Sequence, residues 1–367
     1  MKKYSSLQAL RAIALFGIFL NHAHAPVYWS GLGVAVFFVL SGFLLFDHHG
    51  NENVPISVKS CFLQSWNRIK KQYPLHILTM VLMIALLVLV QVLRGSERSF
   101  YPNLFRNIGL NVFLLQSWYP DSTVNASLNG VAWFLSAIAF SYGMFPLIRR
   151  WISGRSQSCL WLICLAVLGL EWGISVLLIA TQGANSPVYI WCTYCFPVFR
   201  LGDFFIGCCL GKYHSETGTK TWSLTKGTAI ESLALFGTLV LFGWMRVPQT
   251  SLVTRALHNW TTVYIPVAAV WVYLFTQKRG WITRILSNKL FCWFGNLSAA
   301  FYLIHYVVIQ YVDKTLLLLK ITLPEPVSYL VMAAEFSVSI GLSYAFSRWS
   351  TRAKEKKIHG KDQTALR

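Results

Sequence analysis

The chain has 367 residues, 55% of them hydrophobic and only 12% charged, with a mean hydropathy of +0.50. A soluble domain carries roughly a quarter charged residues, and apolar runs long enough to cross a bilayer recur here along the whole length, so the composition excludes a soluble domain on a single anchor. The formal net charge of +19 suits a nucleic-acid binder only if the basic residues cluster on one surface, and their distribution argues otherwise. The expected fold is all-α and polytopic. About ten transmembrane helices are predicted, at 7–24, 31–47, 74–93, 130–149, 159–180, 195–212, 227–245, 259–276, 290–313 and 325–348.

The first predicted helix reads LQALRAIALFGIFLNHAHA and holds Arg11 and His22 in an otherwise apolar run. Eleven residues at 100° each make three turns plus about 20°, so the two share a face, roughly 16 Å apart along the axis. Gln8 extends that stripe inward, and His24 points away from it. The opening MKK and the AHA at 23–25 mimic a secretory signal. Arg11 lies inside the would-be apolar region and Pro26 follows the cut, so an uncleaved helix is expected. The second helix, GLGVAVFFVLSGFLL, carries small residues suited to close helix approach. Its Ser41 is available to face an internal chamber.

The inner connection 48–73 ends in WNRIKKQYPLH, with Pro74 suited to a helix start. Arg68, Lys70 and Lys71 then sit before a helix N-terminus, where the dipole disfavours cations unless an anion is bound. The outer connection 94–129 contains a stretch, 104–119, with some character of an eleventh or re-entrant element, left outside the count. In SLNGVAWFLSAIAF, residues Asn129, Trp133 and Ser136 form one stripe. Glu171 falls mid-membrane in the next helix. CTYC at 192–195 has metal-site spacing without a second pair or a histidine cluster, so the cysteines read as small apolar filler and no metal is expected.

FPVFRLGDFFIGCCLG places Arg200 one turn before Asp203, spacing that permits an ion pair. NLSAAFYLIHYVV puts Ser298, Tyr302 and His305 on one stripe. Glu335 lies mid-membrane in the last helix and, like Glu171, is expected to pair with a buried cation. Residues 1–348 make one integral membrane domain, and 349–367 a solvated basic cytoplasmic tail.

With the N-terminus in the cytoplasm, the inner segments hold 23 of the 32 Lys and Arg residues and the outer loops seven, with Arg11 and Arg200 inside spans. That asymmetry is the positive-inside rule, and it puts both termini in the cytoplasm. The basic residues orient the protein, so no nucleic-acid partner is expected; membrane lipid surrounds it.

Depth carries the functional argument. His22, His305, Trp133, Ser136 and the Arg200–Asp203 pair all fall in the outer half of their helices. Intramembrane ionisable groups face the bundle interior or a wet cavity, so a shared depth on several helices predicts a polar chamber. An imidazole in such a chamber suits general-base chemistry, an enzymatic reading. A transporter or flippase for a lipid-linked or small polar substrate is the alternative, since midplane charges and interrupted helices also suit one.

Six segments, in order, resemble acyltransferase family 3, the bacterial integral membrane acyltransferases that O-acetylate lipopolysaccharide, peptidoglycan and other surface glycans. LQALRAIALFGIFLNHAHA resembles the first helix, with arginine, ten residues, then histidine. GVAVFFVLSGFLL resembles the second. WNRIKKQYPLHI is similar to the family's R-x-x-R before proline, with Arg68 at the first position and Lys71 in place of the second arginine, a change that loses bidentate phosphate binding. WFLSAIAFSYGMFPLI resembles W-x-L-S ending in Tyr and Pro, but Ile138 and Ala139 stand where many members carry glutamates. FRLGDFFIGCCLG fits R-x-x-[ED]-F-x-x-G, and AAFYLIHYVV fits Y-L-x-H.

The resemblance implies acyl-CoA, with acetyl-CoA the usual donor, entering from the cytoplasm. It implies an acceptor on the outer side, a surface glycan or a lipid-linked oligosaccharide, and a location in the inner (cytoplasmic) membrane. The helix-one histidine, His22, is implied to be catalytic. His305 and Ser136 are expected to assist it. Arg11, Arg68 and Lys71 are expected to hold the donor, and Trp133, Arg200, Asp203, Ser41 and Tyr302 to line the substrate site.

Overall fold

The computed structural model describes residues 4–25, 30–52, 55–95, 100–258 and 261–365, with side chains to Arg352. Pro26, the basic residues Lys2, Lys3 and Arg98, the expected start of a span at 259 and the side chains of the basic tail lie outside the described residues. The chain is 82% helical, and no strand occurs among the described residues.

Among the described residues, eight helical segments are long and apolar enough to cross a membrane: Ser30–His49, Tyr73–Arg94, Gly130–Ser153, Gln157–Gln182, Pro187–Thr217, Leu224–Trp244, Ser298–Leu319 and Glu325–Arg352. The other two expected spans also form helices. One is α1 (Ser5–His22), whose apolarity is diluted by Gln8, Arg11, Asn21 and His22; the other runs only from Tyr264 to Gln277. The molecule is therefore an all-α, polytopic membrane protein.

Next in order are α2 (Ser30–His49), α3 (Val58–Ile69), α4 (Tyr73–Arg94), α5 (Phe100–Val112) and the single turn α6 (Ser122–Asn125). After them come α7 (Trp133–Ser153), α8 (Gln157–Gln182), α9 (Pro187–Tyr194) and α10 (Pro197–Thr217). The C-terminal part holds α11 (Leu224–Trp244), α12 (Leu252–Leu257), α13 (Tyr264–Gln277), α14 (Trp281–Leu286), α15 (Lys289–Asn296), α16 (Ser298–Leu319) and α17 (Glu325–Ala365).

Helices α2 and α10 pack backbone to backbone. A methyl group added at Gly42 would lie 2.0 Å from the Phe204 carbonyl, and one at Gly207 would lie 2.1 Å from the Val39 carbonyl. Only glycine lets two backbones approach so closely. Phe38, Phe43 and Phe204 are fully buried at this seam, and α1 packs on its flank.

Two breaks have local causes. Proline occupies the first turn of α10, which separates it from α9. The span predicted as 290–313 divides at Leu297 into α15 and α16. The stretch 104–119 forms α5, only 13 residues long, and a 3-10 turn at Gln116–Trp118. At 1.5 Å per residue α5 reaches about 20 Å, short of a hydrocarbon core of about 30 Å.

Polar side chains latch this segment onto its neighbours. The Asn111 carbonyl meets His76 Nε2 at 3.0 Å, Gln116 Nε2 donates to the Ala132 carbonyl at 3.1 Å, and Ser117 Oγ donates to the Trp133 carbonyl at 2.8 Å.

Candidate active site

Helix α3 is capped by Ser57, whose side chain accepts from the Ser60 N–H in a reciprocal capping box. Ser65 Oγ donates to the Ala139 carbonyl at 2.7 Å, which fixes α3 on α7. These contacts place Arg68 in the last turn of α3, ahead of the turn that opens α4. This corrects the sequence expectation. Arg68 sits at a helix C-terminus, where the dipole favours a cation, so no bound anion is required to explain the charge. The case for anion binding rests on what Arg68 lines.

It lines two adjoining cavities. The first, about 420 Å³, is walled by Tyr4, Gln8, Arg11, Ser41, His48, Arg68 and Tyr142 together with leucines 7, 44 and 45. The second, about 140 Å³, shares Arg11, Ser41, Arg68 and Tyr142 and runs on past Phe134 and Ile138 to Ser298 and Tyr302. Arg11 donates to Gln8 Oε1 at 3.3 Å. Ser41 Oγ donates to the Phe37 carbonyl at 2.7 Å and accepts from the Tyr142 hydroxyl at 3.4 Å. Tyr4 donates to Asp47 Oδ2 at 2.9 Å, and His214 Nδ1 meets Asp47 Oδ1 at 2.8 Å. Burial and the neighbouring carboxylate push the Tyr4 phenol up, keeping it a neutral donor.

One turn beyond Tyr302 the two histidines meet. His22 Nδ1 lies 2.9 Å from His305 Nε2, and the rings are near parallel, with centroids 5.2 Å apart. His305 is fully buried. Its Nδ1 lies 3.0 Å from the Phe301 carbonyl, and the Phe301 ring stacks on it at 10°. Tyr302 packs 5.9 Å away, ring to ring, and Tyr306 stands edge-on to His22 at 5.5 Å. The predicted stripe on α16 thus has two duties. Ser298 and Tyr302 face the cavity, and His305 holds His22.

The remaining predicted residues stand elsewhere. Ser136 donates to the Leu114 carbonyl at 2.5 Å and latches the α5 segment to α7, away from the histidines. Trp133 stacks on Tyr194 at 4.7 Å. Arg200 and Asp203 are both fully buried, 2.6 Å apart, with the guanidinium 4.7 Å over the Phe38 ring; neither borders the two cavities. Lys71 is exposed, and it too lies off both cavity walls. Ser136, Trp133 and Arg200 reach neighbouring elements through these contacts, which is a packing reason for their place in the helices.

Gly202 leaves room for the Glu171 carboxyl group, and Thr262 Oγ1 donates to it at 3.3 Å. Glu335 is buried on α17, and His24 lies 3.2 Å from Asp313.

Sequence reasoning gave no role to Tyr4, His48, Gln72, Tyr142 or Tyr306. Tyr142 carried a signal, since it lies in the quoted W-x-L-S stretch, six residues after Ser136. Gln8 did as well, on the Arg11 stripe. Tyr4 and His48 reach the cavity from the ends of α1 and α2, where no periodicity marks them.

Comparison with known proteins identifies the family. The chain is 24% identical over 334 residues to the acyltransferase MdmB of Streptomyces mycarofaciens, which covers 83% of this chain and 79% of that protein. It is 24% identical over 327 residues to the O-acetyltransferase OatA of Staphylococcus aureus, covering 84% of this chain but 51% of OatA, so it spans about half of that relative. No solved structure matches. The family profile described as an acyltransferase domain, acyltransferase family 3, matches residues 4–348. The chain belongs to that family and is a membrane-embedded acyltransferase.

Proposed function

We propose that the protein is an O-acetyltransferase of the inner (cytoplasmic) membrane. It moves an acetyl group from cytoplasmic acetyl-CoA to a hydroxyl of a surface glycan or its lipid-linked precursor. The observation that carries this reading is a cation-lined cavity adjoined by a smaller one that ends at Tyr302, one helical turn from a histidine pair that lines neither cavity. Arg11 and Arg68 border the wider cavity, where the donor's phosphates would find charge-assisted hydrogen bonds. The pantetheine arm is assigned to the passage that ends at Tyr302. The thioester then reaches the level of His22.

In this reading His22 takes the proton of the acceptor hydroxyl as its oxygen bonds to the thioester carbonyl carbon. The carbon–sulfur bond breaks as the tetrahedral intermediate collapses. His22 returns the proton to the departing sulfur, so ester and CoA thiol are the products. A covalent acyl-enzyme is disfavoured, because Ser41 and Ser136 both donate to backbone carbonyls and neither hydroxyl meets a base. The Tyr302 hydroxyl is assigned to the acyl group, while Trp133, Arg200 and Asp203 support the wall behind it. Lys71 serves as surface charge.

Purified protein in liposomes, given radiolabelled acetyl-CoA and a glycan acceptor, tests the reading. The His22→Ala variant is expected to lose transfer by about 10²- to 10⁴-fold, the usual contribution of a positioned base. Undiminished transfer by a folded His22→Ala protein would refute it.

A further inference from the structure

The hydrogen bonds around His305 determine which nitrogen of His22 is available. A backbone carbonyl only accepts. His305 Nδ1, 3.0 Å from the Phe301 carbonyl, must therefore carry a hydrogen. In a neutral imidazole the other nitrogen is then an acceptor. That nitrogen, Nε2, lies 2.9 Å from His22 Nδ1, so His22 Nδ1 must be the donor. With both rings neutral, as a base mechanism requires, His22 holds its hydrogen on Nδ1 and presents the lone pair of Nε2.

We propose that His305 is a positioning residue that fixes the tautomer and orientation of His22, so that His22 Nε2 is the basic nitrogen facing the acceptor hydroxyl. The inference rests on the assignment of His22 as the base. Both ring nitrogens of His305 are engaged, one by the Phe301 carbonyl and one by His22, so it has no N–H left for an oxyanion or an acceptor. Its own orientation is fixed in turn, by the carbonyl one helical turn earlier and by the Phe301 ring stacked on its face. Tyr306, edge-on to His22, limits rotation of that ring from the other side. The same logic operates where a buried acceptor orients a catalytic histidine by accepting from its Nδ1–H, and where loss of the correct tautomer removes most of the rate with the geometry otherwise intact. Here a second imidazole is that acceptor.

The test compares His305→Ala with His305→Gln in purified, full-length protein in liposomes. A glutamine amide oxygen reaches the place of the imidazole Nε2 and accepts from His22 Nδ1–H; alanine leaves that hydrogen without a partner. His305→Ala is expected to lower kcat for acetyl transfer by at least about 100-fold, with KM for acetyl-CoA unchanged. His305→Gln is expected to recover at least tenfold of that loss. Nitrogen-15 NMR of histidine-labelled protein supplies a readout independent of turnover. The His22 signals, identified by their disappearance in His22→Ala, are expected to show a protonated Nδ1 and an unprotonated Nε2, and to lose that pattern in His305→Ala.

A His305→Gln protein that is folded and as slow as His305→Ala overturns the inference, and so does a His22 signal with the hydrogen on Nε2. Either result leaves the base assignment standing as long as His22→Ala is inactive. An active His22→Ala protein instead removes the base assignment itself.

Discussion

Arg68 and Lys71 are three residues apart in one basic cluster, yet only Arg68 reaches the cavity walls; Lys71 is exposed. Replacing Arg68 by alanine removes a charged hydrogen-bond donor from the donor site, a contribution of about 1.5–3 kcal/mol. KM for acetyl-CoA in Arg68→Ala is therefore expected to rise by at least tenfold in steady-state assays, while Lys71→Ala stays within about twofold. Arg68→Lys is expected to fall between them, because an ammonium keeps the charge and loses the planar fork. At this scale the sequence was most informative where two helices offered rare groups at matched depth, as His22 and His305 do. It was least informative for Ser136, Trp133, Arg200 and Asp203. Depth alone does not separate a side chain facing a cavity from one bonded to a neighbouring helix, and the partners that decide the matter, the Leu114 carbonyl, Tyr194 and the Phe38 ring, lie at remote positions.

Helix order and type were legible in the hydropathy of the chain, whereas interruptions were not. The break at Leu297 is marked only by the short GNLS sequence between apolar residues, and α5 is polar on the side that faces its neighbours through Asn107 and Asn111. A window average sees one long span in the first case and none in the second. The α2–α10 seam carries the clearest prediction about elements. Gly207→Leu drives a side chain into the Val39 carbonyl, so the helices must separate and the protein is expected to unfold at lower temperature in detergent. Asp203→Ala strands the buried Arg200 guanidinium without its counter-charge. Breaking such a pair from one side costs about 3–5 kcal/mol. The double variant Arg200→Met/Asp203→Ala is expected to be more stable than Asp203→Ala alone. Thermal unfolding followed by tryptophan fluorescence measures both comparisons. If the double variant is the less stable of the two, Arg200 has a role beyond this pairing.

Across the whole molecule, the proposed reaction needs donor and acceptor to arrive from opposite sides, so it depends on the orientation of the chain in the membrane. By the charge asymmetry of the sequence, α3 and the wider cavity are expected on the cytoplasmic side and the α5–α6 segment outside. Two exposed positions separate the sides: Lys59 near the start of α3 and Ser122 at the start of α6. With Cys61, Cys159, Cys192 and Cys292 replaced by serine, the remaining cysteines are buried. Single variants Lys59→Cys and Ser122→Cys are then exposed to a membrane-impermeant maleimide on intact spheroplasts. Ser122→Cys is expected to react at once, and Lys59→Cys only after permeabilisation. The reverse pattern would put the cavity bordered by Arg11 and Arg68 on the face away from the cytoplasmic pool of acetyl-CoA. The residues could then still form a histidine pair and a cation-lined pocket, but no thioester would reach them, and the order of cavity, passage and base would have to be read in the opposite direction.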